Sequence, residues 1–188
     1  MKYTEESIEI DGHNLTLQFG KLARAATTSV FARMGDTCIL VTVTLGKEKT
    51  DIDYFPLSVE YVEKLYAGGI IKGSRWVKRE GKPTDEAILK GRIIDRSIRP
   101  FFPKTYRREV QVVATLMSID NTIAPEVLAT IAASAALHIT PAPWNGPVSA
   151  TQIGYTLDEA GKGSYIINPS QEEDGRSSLE LFVTSNKD

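Results

Sequence analysis

The sequence predicts one α+β domain in which sheets pack against helices. Three observations carry that prediction. Most apolar segments are short, rich in β-branched residues and alternating with period two, as in Leu57-Ser58-Val59-Glu60-Tyr61-Val62. Only two segments carry helix signals, residues 85–99 and 125–139. The 188 residues contain no repeat, low-complexity tract or long linker, and such a length suits a single domain of about 100–200 residues.

The elements follow in order. Residues 7–10 and 14–19 read as strands around the turn Asp11-Gly12-His13. Residues 26–34 and 37–45 flank Gly35-Asp36 and read as a hairpin, its second strand nearly continuous in apolar residues. Residues 57–62 form a half-buried strand. Thr84 is the N-cap of the first helix, Asp85 and Glu86 favour its positive end, and Pro100 stops it. Residues 110–117 form another strand. Pro125 suits the first turn of the second helix, whose alanine-rich run permits close packing. Residues 141–147 form a proline-rich rigid turn, and strands follow at 149–155, 164–167 and 179–184. Only four residues come after that last strand. The expectation is that the C-terminal end of the domain is incomplete and that an element covering or pairing the strand is missing.

Composition excludes several classes. With 41% hydrophobic and 24% charged residues the chain is neither disordered nor fibrous. A single cysteine rules out an internal disulfide and any multi-cysteine zinc site. Cys38 lies in the apolar run Thr37-Cys38-Ile39-Leu40-Val41, which reads as a buried strand position rather than a nucleophile. His13 and His138 are too far apart in sequence context to suggest a metal site or a Ser-His-Asp triad. The polar N-terminus has no signal-peptide core, and no apolar stretch nears the roughly 18–20 residues of a membrane span. A soluble, cytoplasmic protein with no membrane partner is expected.

The net charge of −2 averages two unlike parts. Residues 64–108 carry thirteen Lys or Arg against four Asp or Glu, a local balance of +9, while the remainder holds nine against twenty. A local cluster sets the field that a polyanion meets. This one also contains Gly68, Gly69, Gly73, Gly81 and Pro83, which suggests a loop presenting its charges to solvent. RNA or phosphate is the partner this favours over a merely solvated face.

Two constellations within it bear chemistry. Arg92, Arg96 and Arg99 stand at i, i+4 and i+7 on the first helix, in a stripe between Ile88 and Leu89. Apolar flanks make this a poor fully solvated face, so the guanidiniums need anionic partners. Either phosphate supplies them, to which planar forks are suited, or Asp95 supplies an internal ion-pair ladder. The second constellation is the segment 72–83, where Trp76 is interleaved with cations. It can hold single strands by base stacking plus phosphate contact. Alternatively, Trp76 anchors the loop to the core. Carboxylates are numerous; Asp174 and Glu180 flank the last strand. There is no Walker A motif and no G-x-G-x-x-G.

These residues carry a specific resemblance. Tyr54-Phe55-Pro56-Leu57, Tyr66-Ala67-Gly68-Gly69 with Gly73-Ser74, and Lys78-Arg79-Glu80-Gly81-Lys82-Pro83 resemble the polynucleotide phosphorylase (polyribonucleotide nucleotidyltransferase) family. So do the run from Ile94 to Pro103 and Asn145-Gly146-Pro147, in the order of that family's N-terminal, first RNase PH-like domain. The resemblance spans about residues 8–184 and implies an RNase PH-like fold of mixed β-sheets packed with α-helices over residues 1–188.

What the resemblance implies is a phosphate-dependent 3′-to-5′ exoribonuclease of mRNA degradation. Inorganic phosphate would be its co-substrate, Mg²⁺ its cofactor, single-stranded RNA its partner and a homotrimeric ring its assembly. In the family, catalysis belongs to a second RNase PH-like domain, and the first supplies a channel loop and arginines beside the site. The loop role falls on Arg75, Trp76, Lys78, Arg79 and Lys82, and the arginine role on Arg92, Arg96 and Arg99. Where the catalytic copy has a phosphate-holding serine cluster, this chain has Pro125, Glu126 and Val127, and a lysine position is Phe182. Asp174 and Glu180 could stand in for the acids, yet proline removes an amide and Glu126 repels an anion. No catalytic residue and no metal ligand is therefore expected in this chain. The rivals are a stand-alone phosphorolytic RNase of the same fold and a structural ring subunit without RNA contact.

Overall fold

A computed structural model of the chain describes residues 3–10, 12–71, 81–157 and 162–187. Two antiparallel hairpins start the fold: β1 (Thr4–Ile10) with β2 (His13–Phe19), and β3 (Thr28–Met34) with β4 (Thr37–Glu48). With β5 (Leu57–Glu63) and β6 (Arg108–Ser118) they form a six-stranded sheet in the order β1-β2-β3-β4-β6-β5. Among the described residues only β5 and β6 pair in parallel, and the connection between them carries the first long helix, α1 (Asp85–Ile98). A second sheet is antiparallel, ordered β8-β7-β9, from β7 (Val148–Leu157), β8 (Gly163–Ile167) and β9 (Glu180–Asn186).

Between the sheets lies α2 (Pro125–His138), packed on β3, β4 and β6 from one side and on β7 from the other. This position explains its sequence. A helix with a sheet on each side has no solvent face, so it is apolar nearly all round, and alanines let both sheets approach. Its few polar groups are spent locally. Thr28 Oγ1 donates to the Ala136 carbonyl at 2.9 Å, and Ser134 Oγ accepts from the Val148 amide at 2.8 Å. The core contributed by the large sheet comes from alternate positions, such as Ile39, Val41 and Val43 on β4 and Val110, Val112 and Ala114 on β6.

The predicted elements are present, most of them a few residues longer. Cys38 departs from expectation. It stands on β4, but the core-facing positions there are Thr37, Ile39, Val41 and Val43, which puts Cys38 on the opposite face and half-buried. A short helix, α3 (Gln171–Asp174), is additional. Ser170 caps it in a reciprocal box with Glu173, a pattern present in the sequence as Ser-x-x-Glu.

Candidate nucleic-acid interface and the cavity beside it

Helix α1 begins where Thr84 accepts a hydrogen bond from the Ala87 amide at 3.1 Å. It lays Ala87, Gly91, Ile94, Ser97 and Ile98 against β5 and the core and turns its other face outward. Its C-terminal end is held by the indole of Trp144, which donates to the Ile98 carbonyl at 3.1 Å. Phe55, Phe102 and Tyr106 pack together there, and Phe102 adjoins Trp144.

On the outward face the three arginines divide. Arg99 is held internally: Asp95 accepts from its Nε at 2.8 Å and its Nη2 at 2.6 Å, and the Phe55 and Leu57 carbonyls accept from it as well. Arg92 and Arg96 are exposed, and neither has an ion pair among the described residues. Ile88 and Leu89, 50% and 56% exposed, share that face. The apolar flanks expected to exclude water are thus themselves in solvent, because the buried stripe of α1 runs through Gly91 and Ile94 instead. Lys82 is exposed, just before the helix. Arg75, Trp76, Lys78 and Arg79 lie outside the described residues.

A polar cavity of about 310 Å³ opens at the start of α2. Lining it are Glu126 in the first turn of α2, Glu86 and Lys90 from α1, Gln152 from β7, Asp174 from α3 and Glu180 at the head of β9. So the fold brings Asp174 and Glu180 together, and adds groups that sequence reasoning missed. Gln171 N donates to the Asn121 carbonyl at 3.1 Å, tying α3 to the segment that leads into α2. Gln152 Nε2 donates to Asp174 Oδ1 at 3.1 Å. Lys90 lies 3.2 Å from Glu63 and 3.7 Å from Glu126, and its ammonium sits over the Tyr61 ring. Burial, then the charges of Glu63 and Glu126, push the Tyr61 phenol well above its ordinary range.

This cavity is unsuited to phosphate. Pro125 has no amide to offer, Glu126 is an anion, and Lys90 is already neutralised by two carboxylates. Phe182 pairs in register with Gln152 and packs on the core. Among the described residues no group of three His, Cys, Asp or Glu is arranged to hold a metal ion.

The profile of RNase PH, the 3′ exoribonuclease family, domain 1, matches residues 11–143. The chain belongs to the RNase PH family. It is 46% identical to the polyribonucleotide nucleotidyltransferase of Heliobacterium modesticaldum over 183 residues, which is 97% of this chain and 25% of that protein. To the enzyme of the same name from Roseiflexus sp. it is 49% identical, over 97% of this chain and 24% of that one. The chain therefore spans about a quarter of the length of these curated relatives. Rice Rrp46 superposes with a TM-score of 0.69 at 15% identity, covering 92% of this chain and 74% of that one, and so shares the RNase PH fold. No described helix is long and apolar enough to cross a membrane.

Proposed function

We propose that this chain is the first RNase PH-like domain of a polyribonucleotide nucleotidyltransferase and that it grips single-stranded RNA without cleaving it. In this reading the complete protein is a phosphate-dependent 3′-to-5′ exoribonuclease of mRNA degradation, assembled as a cytoplasmic homotrimeric ring and using Mg²⁺. Phosphorolysis would reside in the part of the relatives that this chain does not span.

One observation carries the reading. Arg92 and Arg96 are exposed, without a carboxylate partner among the described residues, on the helix that follows the basic segment 72–82. Two forks on one helix face, beside exposed aliphatic side chains, suit a flexible strand that offers phosphates and bases. Arg75, Trp76, Lys78, Arg79 and Lys82 would extend that grip along the strand, and Arg99 would hold the helix end in place. The cavity at α2 supports the second half of the proposal, because a carboxylate and a proline occupy the place where an anion would need amides.

Binding of a fluorescent single-stranded RNA by this chain, measured across a salt series, tests the proposal. Affinity should fall steeply with salt, with a slope of about −0.7 per phosphate contact. A structural ring subunit would give no salt-dependent binding, and a stand-alone RNase would shorten the RNA when phosphate is added.

A further inference from the structure

A groove runs between β5 and the first two turns of α1. One part of it is a cavity of about 310 Å³, walled by Val59 and Val62 from the strand and by Pro83 and Ile88 from the start of the helix. Ile88 is 50% exposed, so this apolar wall is open to solvent and within reach of a ligand. A second cavity, of about 450 Å³, shares Val62 and Pro83 and continues to Ile70 and Lys82.

Charge decides what such a groove can hold. Asp95 lines the first cavity and Glu63 the second, but Arg99 engages the one and Lys90 the other. Arg92 lines the first cavity and Lys82 the second, both exposed, and neither has an ion pair among the described residues. Glu60 is the opposing charge, exposed and likewise without a cation partner among the described residues. An apolar trough with an available cation in each part matches a ligand that is apolar in its body and anionic at intervals. A single nucleic-acid strand has that chemistry, since bases enter apolar slots while phosphates meet guanidinium and ammonium groups. A fatty acid has one anionic head and would leave one of the two cations unmet. The Glu60 carboxylate suits the exocyclic amino group of a base.

We propose that the groove between β5 and α1 is a nucleobase subsite, taking bases of a single RNA strand whose phosphates meet Arg92 and Lys82. It rests on the RNA-gripping reading and adds that the grip is on bases as well as on phosphates.

The test compares two strands of equal length and charge, an oligoadenylate and an abasic ribose-phosphate oligomer, by fluorescence anisotropy with this chain at one salt concentration. The oligoadenylate should bind at least about tenfold tighter, as one well-held base provides. Ile88→Ser should remove that difference and leave the abasic strand's affinity unchanged, while Arg92→Ala weakens both strands. Amide chemical shifts of the unsubstituted chain with adenosine monophosphate should centre on Val59, Val62 and Ile88, which decides the matter even if a variant fails to fold. Equal affinity for the two strands, with shifts confined to the arginines of α1, would overturn the subsite and leave a phosphate-only grip standing. Self-association of the chain that Ile88→Ser abolishes would assign the groove to a second copy and overturn it too. Binding of neither strand would overturn the RNA-gripping reading itself, and the subsite with it.

Discussion

Asp95 grips Arg99 with both carboxylate oxygens, at 2.6 and 2.8 Å, one helical turn apart on α1. That single pair separates a structural arginine from two available ones. Arg99 also reaches the Phe55 and Leu57 carbonyls, so it fastens the end of α1 to the strand it packs on. Arg92 and Arg96, on the same helix, fasten nothing among the described residues.

The consequence is a split between stability and binding. Arg92→Ala and Arg96→Ala should leave the unfolding temperature within a degree or two, while lowering RNA affinity and flattening the salt slope by about 0.7 each. Arg99→Ala should instead destabilise the fold by about 1–2 kcal/mol, because Asp95 loses its partner and two carbonyls lose a donor. Thermal melts paired with RNA titrations check both. Equal effects of all three on affinity with no loss of stability would refute the division.

Asp120 makes acid stability testable. Burial pushes its carboxyl up, but the Thr122 hydroxyl and amide, the Asp36 amide and the Thr37 hydroxyl donate to it and hold it well below the usual carboxylate range. A carboxyl depressed in the folded state contributes stability above its unfolded value, about pH 4, and loses it as pH falls towards the folded value. Unfolding midpoints measured from pH 6 to pH 2 should therefore fall less steeply in Asp120→Asn than in the parent. The parent's advantage should be largest above pH 4.

Two glycines give opposite predictions from the same substitution. A Cβ on Gly91 would meet the Tyr61 amide and the Val59 carbonyl at 3.5 Å, ordinary contact distance. Gly91→Ala should stabilise by about 0.5–1 kcal/mol through helix propensity. A Cβ on Gly146 would run into the Trp144 ring, which is buried and cannot swing aside. Gly146→Ala should destabilise by about 1–3 kcal/mol. Denaturant midpoints of the two variants distinguish these outcomes directly.

Much of the fold was legible because its signals are local. Thr84 caps α1 and Pro125 opens α2 as their sequences suggest, and period-two alternation located the strands. The face that Cys38 occupies is not legible in the sequence, because β4 reads as a continuous apolar run in which only the strand's register on α2 decides which face is core. The Ser170–Glu173 box was visible in the sequence, yet its helix is a single turn with no apolar period to flag it. The trio Lys90, Glu63 and Glu126 could not be read at all. Those residues are far apart in the chain and meet only because β5 pairs in parallel with β6 and α1 packs on α2. Gln152 was equally hidden, since a lone glutamine on a strand becomes a buried acceptor only once α3 folds over it and takes up its amide.

We propose that this domain holds RNA but does not phosphorolyse it. The most direct measurement is release of nucleoside diphosphate from a 3′-labelled single-stranded RNA by the purified chain, with phosphate and Mg²⁺ supplied. No release above a mock preparation is expected, with RNA retained at low salt and lost at high salt. Turnover that disappears in Asp174→Asn would contradict it and would make the cavity at α2 a working active site.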